Sequence, residues 1–299
     1  MELTVSLGGR PLAAGPAPGA LLLRWRLALI GALFVLAGLA WWSTDARMAG
    51  MDMGPGTDPG ALGFYVTTWV VMMAAMMFPS IAPMVLMYAG LQRGRREKGM
   101  AVQWGATPTF VAGYLLLWGL AGLVGYGVLK LGRQIDGGFF AWDHAGRFAA
   151  AAVLVAAAVY EFTPWKYACL RRCRSPLGFL VGEWRDGRLG ALRMGAVHGA
   201  WCLGCCWLLM AALFALGAMS IPWMVLIAAL IAVEKLLPWR AAATAGVAAI
   251  LAVLAIGVLA APARVPGLTV PSDSHGMSMS GMHKPAMQKP ATDMGMQGN

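Results

Sequence analysis

Residues 195–210, GAVHGAWCLGCCWLLM, place four potential metal ligands in an otherwise apolar run. The ligands are His198, Cys202, Cys205 and Cys206, in a chain that contains only 4 histidines and 5 cysteines. On a helix that turns by about 100° per residue, these four side chains share one arc of about 100°. Imidazole and thiolate groups are ligands of soft transition-metal ions. The run therefore predicts one wall of a metal site.

The rise of a helix limits how these ligands can share an ion. His198 and Cys205 are separated by about 10 Å along the helix axis, whereas metal–sulfur and metal–nitrogen bonds are about 2.0–2.3 Å long. One ion cannot contact all four side chains on an unbroken helix. We therefore expect two adjacent sites, or a two-ligand site that another helix completes. The alternative is that the cysteines pack as small apolar residues.

Methionines in a second apolar segment could form the opposite wall. In WVVMMAAMMFPSIAPM, residues 69–84, Met72 and Met76 lie one helical turn apart. Thioethers are soft ligands that suit Cu(I), although a methionine stripe can also be adaptable core packing. Pro79 and Pro83 are expected to break or kink this helix, as in the interrupted helices of transporter sites.

Two thiols and two carboxylates are further candidates. Cys169 and Cys173 are one turn apart beside arginines, which favour the metal-binding thiolate, so a soft ion could be received or released there on the cytoplasmic side. Glu161 and Glu234 lie at the predicted ends of two spans, opposite the negative end of each helix dipole. Acids at such positions need a partner, unless they are simply solvated at the interface. The candidate partners are a metal cation or a basic side chain, namely Lys166, Arg193 or Lys235.

The C-terminal segment from residue 262 has no hydrophobic periodicity, which predicts disorder. It is nevertheless rich in soft-metal ligands, which are His275, Met277, Met279, Met282, His283, Met287, Met294 and Met296. The same Met-x-Met spacing occurs in the loop that contains Met48, Met51 and Met53. We expect both segments to capture a soft ion; compositional drift toward methionine is the alternative.

Composition sets the fold class. The chain is 59% hydrophobic and 12% charged, far fewer charges than a soluble domain carries. Seven apolar runs are long enough to cross a bilayer, which predicts an all-α, polytopic membrane helix bundle. The predicted spans are 25–42, 64–90, 105–131, 147–163, 191–217, 222–238 and 241–261.

Charge distribution gives the predicted topology. Basic residues concentrate in alternate loops, which places the N-terminus in the cytoplasm and the C-terminus outside. The net charge of +10 is explained in this way, without nucleic acid as a partner. No cysteine falls in an outer loop, so the thiols are expected to be reduced. The chain then divides into an N-terminal segment with the first span and outer loop (1–60), a helix bundle (61–261) and a Met/His-rich tail (262–299).

Several motifs together resemble a known family. YEFTPWKYACLRRCRSPLGF, RMGAVHGAWCLGCCWLLM, AVEKLLPW and WVVMMAAMMFPS are similar to those of the predicted metal-binding integral membrane proteins, domain of unknown function 2182, over roughly residues 60–240. The resemblance implies a metal-binding protein of the bacterial inner membrane, without a known reaction. An amide commonly takes the position of Glu161 in that family, so no role for this residue follows. The resemblance assigns importance to Lys166, Cys169, Cys173, His198, Cys202, Cys205, Cys206, Glu234 and Lys235.

These patterns predict a membrane protein that captures, transfers or transports a soft metal ion, with copper favoured over zinc or another soft metal. The expected partners are the lipid bilayer, the metal ion, and a metal chaperone or a membrane partner subunit. A membrane metalloenzyme or an assembly factor for one is the alternative, although no acid–base pair at a substrate pocket is recognisable. A third hypothesis is a scaffold subunit whose cysteines only pack.

Overall fold

The computed structural model describes residues 18–48, 60–100, 102–135, 145–217, 220–237 and 239–261. Every regular element in these residues is a helix, which confirms the all-α prediction. In chain order they are α1 (Pro18–Met48), α2 (Leu62–Glu97), α3 (Ala106–Ile135), α4 (Arg147–Tyr160), α5 (Pro164–Cys173), α6 (Pro176–Glu183), α7 (Gly187–Leu216), α8 (Ile221–Leu236) and α9 (Arg240–Ala260). The predicted ligands of the loop and tail, including His275, Met277, Met279, Met282 and His283, lie outside the described residues.

Five of these helices are long and apolar enough to cross a bilayer: α1, α2, α3, α7 and α9. A sixth candidate is the pair α4 and α5, which is bent by 69° between Tyr160 and Pro164. Helix α8, where the sequence predicts a span over 222–238, has 16 residues and is about 24 Å long. That is short of a hydrocarbon core of roughly 30 Å. The described residues thus hold five or six candidate spans, and seven full spans are not confirmed.

The break between α4 and α5 follows from the sequence Thr163-Pro164. A residue before proline is pushed out of the helical region, and Thr163 has an extended backbone with φ −77° and ψ 145°. Its Oγ1 accepts a hydrogen bond from the Lys166 backbone N–H at 3.3 Å, and Pro164 occupies the first turn of α5. The predicted span 147–163 therefore ends at Tyr160, and α5 turns away to pack against α7.

Helix α2 does not break at its prolines. Pro79 and Pro83 both lie inside one helix from Leu62 to Glu97, so the interruption expected from the sequence is absent. Between the two prolines, the Ser80 hydroxyl donates to the Met77 carbonyl of the preceding turn at 2.9 Å. The methionines of α2 therefore lie on a continuous helix.

Helices α3 and α7 approach each other closely because glycines lie at their contact. A Cβ at Gly113 would collide with the Leu192 carbonyl, and a Cβ at Gly195 would collide with the Phe110 carbonyl. Small residues allow such approach between helices in membranes. This packing holds the N-terminal third of α3 against the part of α7 that precedes its cysteines.

Candidate metal centre

A cysteine of α5 lies beside a cysteine of α7. Cys173 Sγ and Cys205 Sγ are 3.9 Å apart. Because a metal–sulfur bond is about 2.3 Å long, two sulfurs on one ion are separated by at most roughly 4.6 Å. The two thiols are therefore close enough to bind the same ion from opposite sides of a helix–helix contact.

Gly204 allows α5 to reach this position. A Cβ at residue 204 would lie 2.8 Å from the Sγ of Cys169, closer than non-bonded atoms tolerate. The carbonyl of Gly204 also accepts a hydrogen bond from the Tyr160 hydroxyl at 2.7 Å. The glycine within the Cys-x-Gly-Cys-Cys run thus leaves room for the sulfur of Cys169 and joins the end of α4 to α7.

Cys202 lies at the centre of a polar network built by four helices. Lys235 Nζ of α8 donates to Cys202 Sγ at 2.9 Å and to Ser80 Oγ of α2 at 3.4 Å. The hydroxyl of Tyr114 on α3 shares a hydrogen bond of 3.0 Å with the same sulfur. The sulfur of Cys202 thus has an ammonium and a hydroxyl as hydrogen-bond partners inside the bundle.

Cys205 and Cys206 share one hydrogen-bond acceptor. Both are buried, and each thiol donates to the Cys202 carbonyl at 3.0 Å. Cys205 additionally contacts Cys173. Cys202, Cys205 and Cys206 are thus buried on one stretch of α7, with Cys173 of α5 beside Cys205.

His198 is buried among aromatic rings rather than beside a sulfur ligand. The ring centroids of Phe110, Tyr114 and Phe179 lie 6.2, 6.1 and 5.2 Å from that of the imidazole. Its Nδ1 has no hydrogen-bond partner in the part of the chain that the structure describes. Within those residues no three His, Cys, Asp or Glu side chains are grouped to hold an ion. The contacts favour a two-sulfur site over one that combines His198 with several cysteines.

The methionines that the sequence singled out lie in the core. Met72 and Met76 are 3% and 2% exposed on α2. Met77 of α2 contacts the polar network around Cys202, because its Sδ lies 4.0 Å from Ser80 Oγ.

The two predicted carboxylates meet at one lysine. Lys166 Nζ is 2.8 Å from each carboxylate oxygen of Glu234 and forms an ion pair with Glu161. All three side chains are buried, with 1% exposure at Lys166. Lys166 is thus confirmed among the candidate partners, and Lys235 turns to the sulfur of Cys202 instead. In this arrangement both acids pair with the ammonium of Lys166, and their role as metal ligands stays a prediction.

Tyr114, Ser80 and Gly204 are site residues that sequence reasoning missed. The signal for Tyr114 was a phenol in an apolar span, since a buried hydroxyl normally has a polar partner. The signal for Gly204 was its position between cysteines, where glycine indicates close approach. For Ser80 the only signal in the sequence was its position between two prolines.

Comparison with known proteins identifies the family. Residues 66–258 match the sequence model of the PpoB2 family, which is described as copper chaperone. The chain belongs to this family. The match includes α5, α7 and α8 and supports copper as the ion concerned, although it does not itself name the integral membrane family that the motifs resemble. No curated protein and no solved structure matches the chain.

Proposed function

We propose that this protein is a multi-pass membrane protein that binds Cu(I) between Cys173 and Cys205 and transfers it to an acceptor. The carrying observation is the 3.9 Å separation of these two sulfurs across α5 and α7. Soft thiolates select Cu(I), and the family description names copper. Cys202 and Cys206, on the same part of α7, provide neighbouring sulfurs for ligand exchange during entry and release.

The side chains on the outside of the helices support the membrane assignment. Large apolar residues are exposed along several candidate spans, including Val35, Val124, Val253 and Ile256. Exposed apolar surface of this extent is rare on soluble monomers. The charged side chains of Lys166, Glu161 and Glu234 and the thiols of α7 are instead buried inside the bundle. The positive-inside pattern supports a cytoplasmic N-terminus and an outer C-terminus, in the inner membrane of a bacterium.

The bent pair α4–α5 supports a re-entrant arrangement. After the break at Tyr160, α5 packs against α7 and brings Cys173 to Cys205, which follows the midpoint of that 30-residue helix. Non-helical backbone at membrane depth is tolerated where protein buries it. We place the copper site within the bundle, and we assign initial capture to His275, Met277, Met279, Met282 and His283 in the outer tail.

Copper binding and cellular copper handling test this function together. The full chain, purified in detergent under reducing, oxygen-free conditions, is expected to retain Cu(I) against a competing chelator and to donate it to an apo-acceptor. A strain that lacks the protein is expected to show altered copper tolerance or reduced loading of a copper enzyme. Purified protein with no bound or transferable copper, together with an unchanged deletion strain, would contradict the proposal.

A further inference from the structure

The ammonium of Lys235 is directed at the sulfur cluster. It donates to Cys202 Sγ at 2.9 Å, and the thiol of Cys205, which follows on the same helix, donates to the Cys202 carbonyl at 3.0 Å. Its other contact is the neutral hydroxyl of Ser80. The positive charge is therefore held next to the proposed copper ligands.

The adjacent acid does not neutralise this lysine. Glu234 directs both carboxylate oxygens to Lys166 on α5, and in the described residues no carboxylate forms a salt bridge with Lys235. Lys235 is also partly buried, so solvent screens its charge only weakly. With Cys202 as a neutral thiol that accepts its hydrogen bond, a net negative charge on the neighbouring pair Cys173 and Cys205 would be its counter-charge.

We propose that Lys235 is a specificity-determining residue that favours monovalent Cu(I) over divalent ions such as Zn(II). This inference rests on the proposed copper site between Cys173 and Cys205. Cu(I) with two thiolates carries one net negative charge, which the ammonium balances. A divalent ion with the same two thiolates is neutral and leaves the ammonium without a counter-charge.

The preference acts through charge and not through hydrogen bonding. Tyr114 contacts the same sulfur at 3.0 Å, nearly the same distance as Lys235, but its hydroxyl is neutral. Coulomb interactions inside a protein are much stronger than in water. A difference of one unit charge on the bound ion should therefore change its binding affinity beside Lys235. Removing the ammonium should change selectivity, whereas removing the hydroxyl should not.

The test compares Cu(I) and Zn(II) dissociation constants for the full chain and its variants, with competing chelators under oxygen-free conditions. In Lys235→Gln the ratio of the Zn(II) constant to the Cu(I) constant is expected to fall by at least about tenfold. Lys235→Arg, which keeps the charge, and Tyr114→Phe, which removes the neutral contact, should change the ratio by less than about threefold. Lys235→Leu serves as a second neutral variant if the glutamine variant does not fold.

A ratio that stays unchanged in the neutral variants, while the original chain binds Cu(I), would overturn this inference and leave the proposed function intact. An equal change in Tyr114→Phe would also overturn it, because the effect would then not depend on charge. Absence of Cu(I) binding by the original chain would instead overturn the proposed function and the inference with it.

Discussion

The sulfurs of Cys173 and Cys205 lie 3.9 Å apart although 32 residues separate them in the chain. The contact exists because α4 ends at Tyr160, Thr163 and Pro164 start a new helix, and that helix turns by 69°. A straight fourth span would have carried Cys173 away from α7. The helix break is thus the feature that assembles the proposed copper site.

Gly204→Ala is expected to weaken this assembly. The new methyl group would collide with the sulfur of Cys169, so α5 must shift away from α7. Overpacking of this kind costs about 1–3 kcal/mol. We expect a lower unfolding temperature and weaker Cu(I) retention, measured by thermal unfolding in detergent and by chelator competition.

Gly127→Ala in α3 is the matched control, because a Cβ there meets nothing within 4 Å. It should leave copper retention unchanged and leave stability equal or slightly higher, since alanine favours helix over glycine by up to about 1 kcal/mol. Equal behaviour of the two alanine variants would contradict the role assigned to Gly204.

Lys166→Met is expected to destabilise the bundle strongly. It would leave the buried carboxylates of Glu161 and Glu234 without the ammonium that contacts both. Breaking a buried ion pair in this way costs about 3–5 kcal/mol. Thermal unfolding of the purified variant checks the loss.

The variant Lys166→Met combined with Glu161→Gln and Glu234→Gln provides the control. Without buried charges left unpaired, it should recover part of the lost stability. A triple variant that is less stable than Lys166→Met alone would show that the lysine acts mainly by packing.

Deletion of residues 262–299 is expected to separate tail binding from core binding. The core site uses α5 and α7, so Cu(I) retained against a strong chelator should persist. The weakly held copper that thioether and imidazole ligands supply should decrease. Elemental analysis of both chains after chelator washes measures the difference, and loss of the strongly held copper on deletion would place the principal site in the tail.

The sequence predicted the helical class and placed His198, Cys202, Cys205 and Cys206 on one arc of a helix, and all four are buried on α7. It also predicted a partner for Glu161 and Glu234, since buried acids require one. Both results depend on local spacing or on the cost of burying charge, which a single sequence reveals.

The sequence could not predict which helices meet. Cys173 was paired with Cys169 by spacing, whereas the fold places it beside Cys205. That Met72 and Met76 face the cysteines stays a prediction, whereas the link from α2 to Cys202 through Ser80 and Lys235 was not predicted. Such contacts depend on the bend after α4 and on the continuity of α2 through Pro79 and Pro83, which are set by tertiary packing.

Cu(I) affinity in a double-mutant comparison tests the two-sulfur site most directly. Cys173→Ser, Cys205→Ser and the double variant are titrated against a Cu(I) chelator, with Cys206→Ser as the control because its thiol donates to the same carbonyl as that of Cys205. Each single variant should lose at least about tenfold in affinity, the double variant should lose little more than either single one, and the control should lose much less. Single variants that behave like Cys206→Ser, or losses that add fully in the double variant, would contradict one ion shared by Cys173 and Cys205.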